Sequence, residues 1–337
     1  MRRTGVMALA VILLLTTAVG CSAGCFDRAD DGKLSVVCTI FPQYDWIRQI
    51  LGDNPGDIEL TVLQSNRIDL HNFQPSFDDV LQITASDLFI YIGGESDKWV
   101  GDALSEAKKN GGDLLVINLL DVLGDAAKIE EIVEGMENPD DHDDDDDDHD
   151  DNEHDDDDEE YDEHVWLSLR NAEVFCSAIA GALSTLDPEN AREYENNLAD
   201  YKAKLSALDA QFQAVADEAA VTTLLFGDRF PFRYLMDDYG LNYHAAFPGC
   251  SAETEASFDT IVFLATKTDE LNLNFIMVTE SADQSIARAI INHTKGKSQQ
   301  ILVMDSMQSI SSDDANSGAT YLFVMESNLA VLKDALN

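Results

Sequence analysis

Histidines and carboxylates are the side chains with which this chain could do chemistry, and they are unevenly placed. His142, His149 and His154 are scattered through residues 140–163, where 19 of the 24 positions are Asp or Glu. Such a density of carboxylates concentrates divalent cations, and imidazoles among them add a preference for zinc-like ions. The fixed glycine and terminal glutamate of a calcium loop are missing. The stretch holds too little apolar surface for a core, so it reads as a disordered surface loop and a low-affinity metal collector. His71 stands alone in a polar loop; with no further context such a histidine is surface decoration. Asp305 follows the apolar run Ile301–Met304, at the carboxyl end of a strand. Asp228-Arg229-Phe230-Pro231-Phe232-Arg233 crowds charge into a few residues. The H-E-x-x-H pattern of a zinc hydrolase does not occur.

These groups sit in a strongly acidic chain. Its 337 residues carry 65 Asp plus Glu against 21 Lys plus Arg, a formal net charge of −44. There is little positive field for a phosphate backbone, which argues against nucleic acid as a partner. The same balance argues against docking of the folded surface onto an anionic membrane. Hydrophobic residues make up 45%, enough for a substantial core in one large or two ordinary domains.

The elements that must position the candidate residues follow from the apolar pattern. Short continuous apolar runs at Leu34–Ile40, Ile58–Leu63, Leu88–Ile92 and Leu114–Leu119 alternate with helical spacing. That is the signature of parallel strands covered on both faces. Residues 165–183 read as a helix. Asp187-Pro188-Glu189 then reads as the start of a long one: an N-cap, Pro at the first position and an acid in the first turn. Its apolar residues Ala191, Tyr194, Leu198, Tyr201, Leu205, Leu208, Phe212 and Val215 alternate steps of three and four, which lines a single face. A coiled-coil arm and a strut between lobes are both compatible with that. The alternation of strand and helix then restarts and closes with a helix at Tyr321–Leu336. The fold class is α/β: two parallel-sheet α/β lobes joined by one long backbone-spanning α-helix. Ligands of open parallel sheets sit beyond the carboxyl ends of strands, so the cleft between the lobes is the expected site.

The amino terminus reads as a targeting segment. Arg2 and Arg3 precede the apolar run Val6–Leu15 and then Ala18-Val19-Gly20-Cys21, which resembles a bacterial lipoprotein cleavage site. The expected organisation is a signal peptide over 1–20, a lipidated Cys21 with a tether over 21–33, an amino-terminal lobe over 34–186 that contains the acidic loop at 140–163, a linking helix over 187–217 and a carboxy-terminal lobe over 218–337. Cys25, Cys38, Cys176 and Cys250 remain, and four cysteines allow three complete pairings.

Three stretches carry a family resemblance. They are Val36–Pro42 with Asp69-Leu70-His71-Asn72-Phe73-Gln74-Pro75-Ser76, the acidic insert running into Asp162-Glu163-His164-Val165-Trp166-Leu167, and Val303-Met304-Asp305-Ser306. Together they resemble the solute-binding lipoproteins of zinc and manganese ABC importers. The resemblance implies two α/β lobes bridged by one long helix, with a metal in the cleft. It implies metal ligands at His71, His164 and Asp305. The family's third ligand position falls on Arg229, ten residues before Tyr239-Gly240-Leu241, and a guanidinium cannot coordinate a cation. The fourth ligand is therefore open among Asp228, Glu280, Cys250, Glu253 and water, and Arg229 is an unusual cleft residue.

The resemblance implies an extracytoplasmic lipoprotein on the bacterial cell membrane that captures a divalent transition metal for an ABC importer permease. Zn²⁺ is the expected cargo and Mn²⁺ the alternative; no organic cofactor is expected, and the membrane is reached through the lipid alone. Two imidazoles and a carboxylate suit tetrahedral zinc. The chain is expected not to be an enzyme. The reading of another class is a surface adhesion or interaction protein with a structural metal site.

Overall fold

The computed structural model describes residues 33–52, 58–64, 70–109, 113–137, 160–251 and 255–337. The expected signal peptide, Cys21, the tether up to residue 32, His142, His149, His154 and Glu253 lie outside the described residues.

Two four-stranded parallel sheets organise the chain. The first is built from β1 (Leu34–Cys38), β2 (Ile58–Val62), β3 (Leu88–Tyr91) and β4 (Leu115–Asn118), in the order β2-β1-β3-β4. The second uses β5 (Thr223–Phe230), β6 (Asn242–Pro248), β7 (Phe275–Thr279) and β8 (Gln300–Met304), in the order β6-β5-β7-β8. Every pairing is parallel. Within each sheet all the carboxyl ends therefore share one edge, from which the site loops emerge. The helices between strands are α1 (Phe41–Leu51), α2 (Phe77–Ala85) and α3 (Val100–Lys109), followed by α4 (Leu119–Leu123). Capping is local and legible: Ser76 accepts the Asp79 N–H at the start of α2, and Asn118 accepts the Asp121 N–H at the start of α4.

Two long helices connect the sheets. Ser168 caps α5 (Leu169–Leu186), and α6 (Ala191–Asp217) runs for 27 residues. The expected N-cap at Asp187 is corrected by three residues, to Asn190. Asp187 lies at the end of α5, and its carboxylate takes the Tyr194 hydroxyl at 2.6 Å and the Asn190 amide at 2.7 Å. These local bonds hold 188–190 in a turn and leave Asn190 as the N-cap. The expected apolar face is present, with Tyr194, Tyr201, Leu205, Leu208 and Phe212 buried and Leu198 and Val215 packed against the core. Helix α6 packs on α1, α5, α7 (Arg233–Tyr239) and α11 (Tyr321–Ala335). It is thus a packed strut rather than a free arm.

One continuous core runs through both halves. It joins Val36 and Cys38 of β1, Phe175 of α5 and Phe212 of α6 to Phe226 of β5 and Tyr321 of α11. Smaller cores lie beyond it, around Leu225 and Ile276 on one side and around Phe89 and Ile83 on the other. The second sheet is covered by α8 (Phe258–Glu270) and α9 (Ser285–His293), in addition to α7 and α11; the short α10 (Ser312–Asn316) follows β8.

The acidic stretch ends earlier than expected. Residues 160–163, expected within the disordered loop, are folded: Asp162 and Glu163 are 2% and 1% exposed. Tyr161 forms an antiparallel bridge with Ile129, the Asp162 N–H reaches the Lys128 carbonyl at 2.8 Å, and the Glu130 N–H reaches the Glu160 carbonyl at 2.7 Å. Backbone pairing to the segment after α4 draws these last acids into the fold, where side-chain partners receive them.

Candidate metal centre

His71 lies in a short 3-10 turn, Leu70–Asn72, in the connection after β2. Its Nδ1 is 2.8 Å from Ser96 Oγ and 3.6 Å from Glu163 Oε2. Ser96 belongs to the turn Glu95–Asp97 after β3, and its backbone N–H donates to Glu163 Oε1 at 2.7 Å. The same turn is braced by the buried Asp97, whose carboxylate accepts the N–H groups of Ile92 and Gly93 at 2.9 and 3.0 Å. Gly94 has φ +83°, and a Cβ there would stand 2.4 Å from Glu163 Oε1. Glycine is needed at this point for both reasons.

His164 is fully buried and tightly oriented. Asp162 Oδ1 accepts its backbone N–H at 2.9 Å and lies 3.0 Å from its Nδ1. With the Nδ1 proton given to that carboxylate, the lone pair is left on Nε2. Carboxylate–imidazole pairs of this kind orient metal-binding histidines. The ring packs on Trp166 and His71 with centroids 5.2 and 5.4 Å away. His164 Nε2 and Glu163 Oε2 are both buried and neither has a hydrogen-bond partner.

The carboxy-terminal half closes over this cluster. Beyond β6, Gly249 lies so close to His164 that a Cβ would fall 3.0 Å from its Cε1. Cys250 follows, its backbone N–H donated to Glu130 Oε1 at 2.8 Å. One ligand atom each from His71, Glu163 and Cys250 lie within 4.8 Å of one another.

Electrostatics match the geometry. Burial pushes the Glu163 carboxyl up to about 7 against the hydrogen bonds from Ser96. Burial also opposes protonation of His164, but the Asp162 hydrogen bond and the charges of Asp162, Glu163 and Glu130 outweigh it and move its pKa upward. Burial and the same carboxylates raise the Cys250 thiol well above its ordinary value. A divalent cation would relieve this crowding of acidic groups, with protons leaving as it binds.

Of the expected set His71, His164 and Asp305, only His71 belongs to the group of His71, Glu163 and Cys250; the His164 ring centroid lies 5.4 Å from that of His71. The carboxylates of the carboxy-terminal half accept hydrogen bonds from their own strand ends. The Asp305 carboxylate accepts the Met307 N–H at 2.7 Å, and burial together with the nearby Glu280 charge pushes it up to about 6. Glu280 accepts the Ser306 N–H at 2.8 Å and the Ser306 hydroxyl at 2.9 Å. Asp228 holds the backbone N–H of Thr279 at 2.9 Å and also receives its hydroxyl. Arg229, on β5 beside Phe247 of β6, reaches the Ser251 carbonyl at 3.4 Å. Glu163 is the member of the cluster that the sequence reading left out. Its place directly before His164 was the available signal, masked by the run of acids upstream.

The chain matches the family model described as the zinc-uptake complex component A, periplasmic, over residues 36–335. The chain belongs to this family. It is 31% identical over 335 residues to the high-affinity zinc uptake system protein ZnuA of Bacillus subtilis, covering 99% of this chain and 97% of that protein. It is 28% identical to the zinc-binding lipoprotein AdcA of Streptococcus pneumoniae, of which it spans 56%. Among solved structures, the Zn(II)-bound ZnuA-like domain of Streptococcus pneumoniae AdcA superposes with a TM-score of 0.67 at 25% identity, covering 90% of this chain and 99% of that one. The laminin-binding protein Lmb of Streptococcus agalactiae, at 22% identity and a TM-score of 0.69, shares the fold. The family is one of metal uptake and not of catalysis.

Proposed function

We propose that this chain is an extracytoplasmic carrier that captures Zn²⁺ between its two sheets and presents it to an ABC importer. The observation that carries this is the group of His71, Glu163 and Cys250, one donor atom of each lying within 4.8 Å of the others, beside the His164 ring; Glu163 Oε2 and His164 Nε2 are both buried without a hydrogen-bond partner. A buried polar atom without a partner is costly. A cation is the ligand that would satisfy both a nitrogen lone pair and a carboxylate oxygen. His71, Glu163 and His164 are the ligands assigned by this reading, with Asp162 and Ser96 orienting them. Asp305 becomes a carboxylate on the carboxy-terminal side, outside the coordinating set.

Family membership supports an importer system, and the zinc-named relatives support the choice of cargo. The permease as direct partner and the lipid on Cys21 as the membrane anchor are the finer parts of the proposal. So is the division into an amino-terminal lobe, a linking helix and a carboxy-terminal lobe. Residues 140–159 are assigned a weak collecting role through His142, His149 and His154.

Calorimetric titration of the metal-stripped mature chain with Zn²⁺ and then Mn²⁺ tests the proposal. One tight zinc equivalent is expected to survive deletion of 140–159 and to vanish with His71→Ala. Weak, multiple binding that disappears with the deletion would overturn it.

A further inference from the structure

Cys250 is the remaining member of the cluster, and its placement is not accidental to the fold. Strand β6 ends at Pro248, and the following turn is fixed at three points. Gly249 sits against the His164 ring, the Cys250 N–H is held by Glu130 Oε1, and the Ser251 carbonyl receives Arg229. These contacts bring a thiol to the donor atoms of His71 and Glu163 from the opposite half of the molecule. Among the described residues the thiol has no disulfide partner. Tetrahedral bonds of about 2.0–2.3 Å separate neighbouring donor atoms by roughly 3.3–3.8 Å. The 4.8 Å outer limit within the group of His71, Glu163 and Cys250 exceeds this by about 1 Å, within reach of side-chain rotation.

We infer that Cys250 Sγ coordinates the cargo as a thiolate, completing a His71–Glu163–His164–Cys250 set that selects thiophilic divalent cations over Mn²⁺. This rests on the reading of the cleft as a metal site. On binding, the S–H bond breaks, the proton leaves to solvent and the sulfur lone pair forms the metal–sulfur bond; no electron is transferred. Thiolate and imidazole favour zinc and its soft neighbours, whereas manganese favours oxygen donors. Arg229, at the position where the family resemblance implies a ligand, lies one hydrogen bond from the residue after the thiol. A cysteine on the neighbouring strand end supplies the donor that a guanidinium cannot.

The test is titration of the metal-stripped full chain with Co²⁺, followed in the near ultraviolet and visible. One equivalent is expected to develop a thiolate-to-cobalt charge-transfer band together with tetrahedral ligand-field bands. Cys250→Ser should abolish the charge-transfer band and lower zinc affinity on the order of 100-fold, while leaving manganese affinity within about threefold. Circular dichroism of the Cys250→Ser and Cys250→Ala chains checks that both fold. Stoichiometric cobalt uptake that needs His71 but shows no charge-transfer band would overturn the thiolate and leave the carrier reading standing. A band that persists in Cys250→Ser would place the sulfur elsewhere and overturn it as well. No tight equivalent in the wild-type chain would remove both readings.

Discussion

The orientation of His164 is set by a single carboxylate. Asp162 takes both the backbone N–H and the Nδ1 side of the ring. Asp162→Ala should lower zinc affinity by about 10–100-fold without removing a ligand, measured by competition with a chelating dye. Gly94 is the second sensitive residue, because of its positive φ and the Glu163 oxygen that a Cβ would strike. Gly94→Ala is expected to cost about 1–3 kcal/mol in urea unfolding and to weaken zinc binding by displacing Glu163. Asp97 has a carboxyl pushed up to about 6 by burial, against an ordinary value of 3.8. The unfolded chain releases this proton at lower pH than the folded one. The group's contribution to stability is therefore fully present below about pH 4 and is lost as pH rises through about 6. In Asp97→Asn, the slope of stability against pH over that window should flatten in the metal-free protein.

At the level of elements, α6 is the strut on which the halves are built. Its buried face meets α1, α5, α7 and α11, and Phe212 is fully buried and stacks on Tyr239 of α7. Phe212→Ala should destabilise the protein by about 3–5 kcal/mol, read from the urea midpoint at constant slope. Its apolar face was readable in advance because a three-four periodicity is a local property of the chain. Its first turn was not. The hydrogen bonds of Asp187 to Asn190 and Tyr194 compete with capping, and a caps-based reading has no way to weigh them.

Across the whole molecule, the two sheets are held to one another by buried bonds as well as by the shared core. Asp45 of α1 accepts the Tyr321 N–H at 2.9 Å, the Tyr321 hydroxyl donates to the Trp166 carbonyl at 2.7 Å, and the Trp166 indole donates to the Ser306 carbonyl at 2.9 Å. This chain of bonds runs from the first helix to the last and back to the segment beside the metal centre. It opposes a wide hinge motion and favours capture by rearrangement of the loops at the strand ends. Small-angle scattering should show no measurable change in radius of gyration between metal-free and zinc-loaded protein. Tyr321→Phe leaves the Trp166 carbonyl short of a buried donor and should cost about 1–3 kcal/mol, with thermal unfolding as the readout.

The α/β class, the two sheets and the single long apolar face were determined by the sequence alone, because strand runs and helix periodicity are written in neighbouring residues. His71 and His164 are legible through their motifs, and the fold brings their ring centroids to 5.4 Å of one another. What only the tertiary structure decided is which acids and which sulfur join them. Glu163 looked like the tail of a solvated acidic tract until backbone pairing with 128–130 buried it. Asp305 reads as a ligand at a strand end, and in the fold one of its carboxylate oxygens accepts the Met307 N–H. Cys250 is distant from His71 in the chain and reaches it only because two parallel sheets bring their strand ends together. Proximity of that kind has no local signature in a sequence; it arises from packing around a shared core.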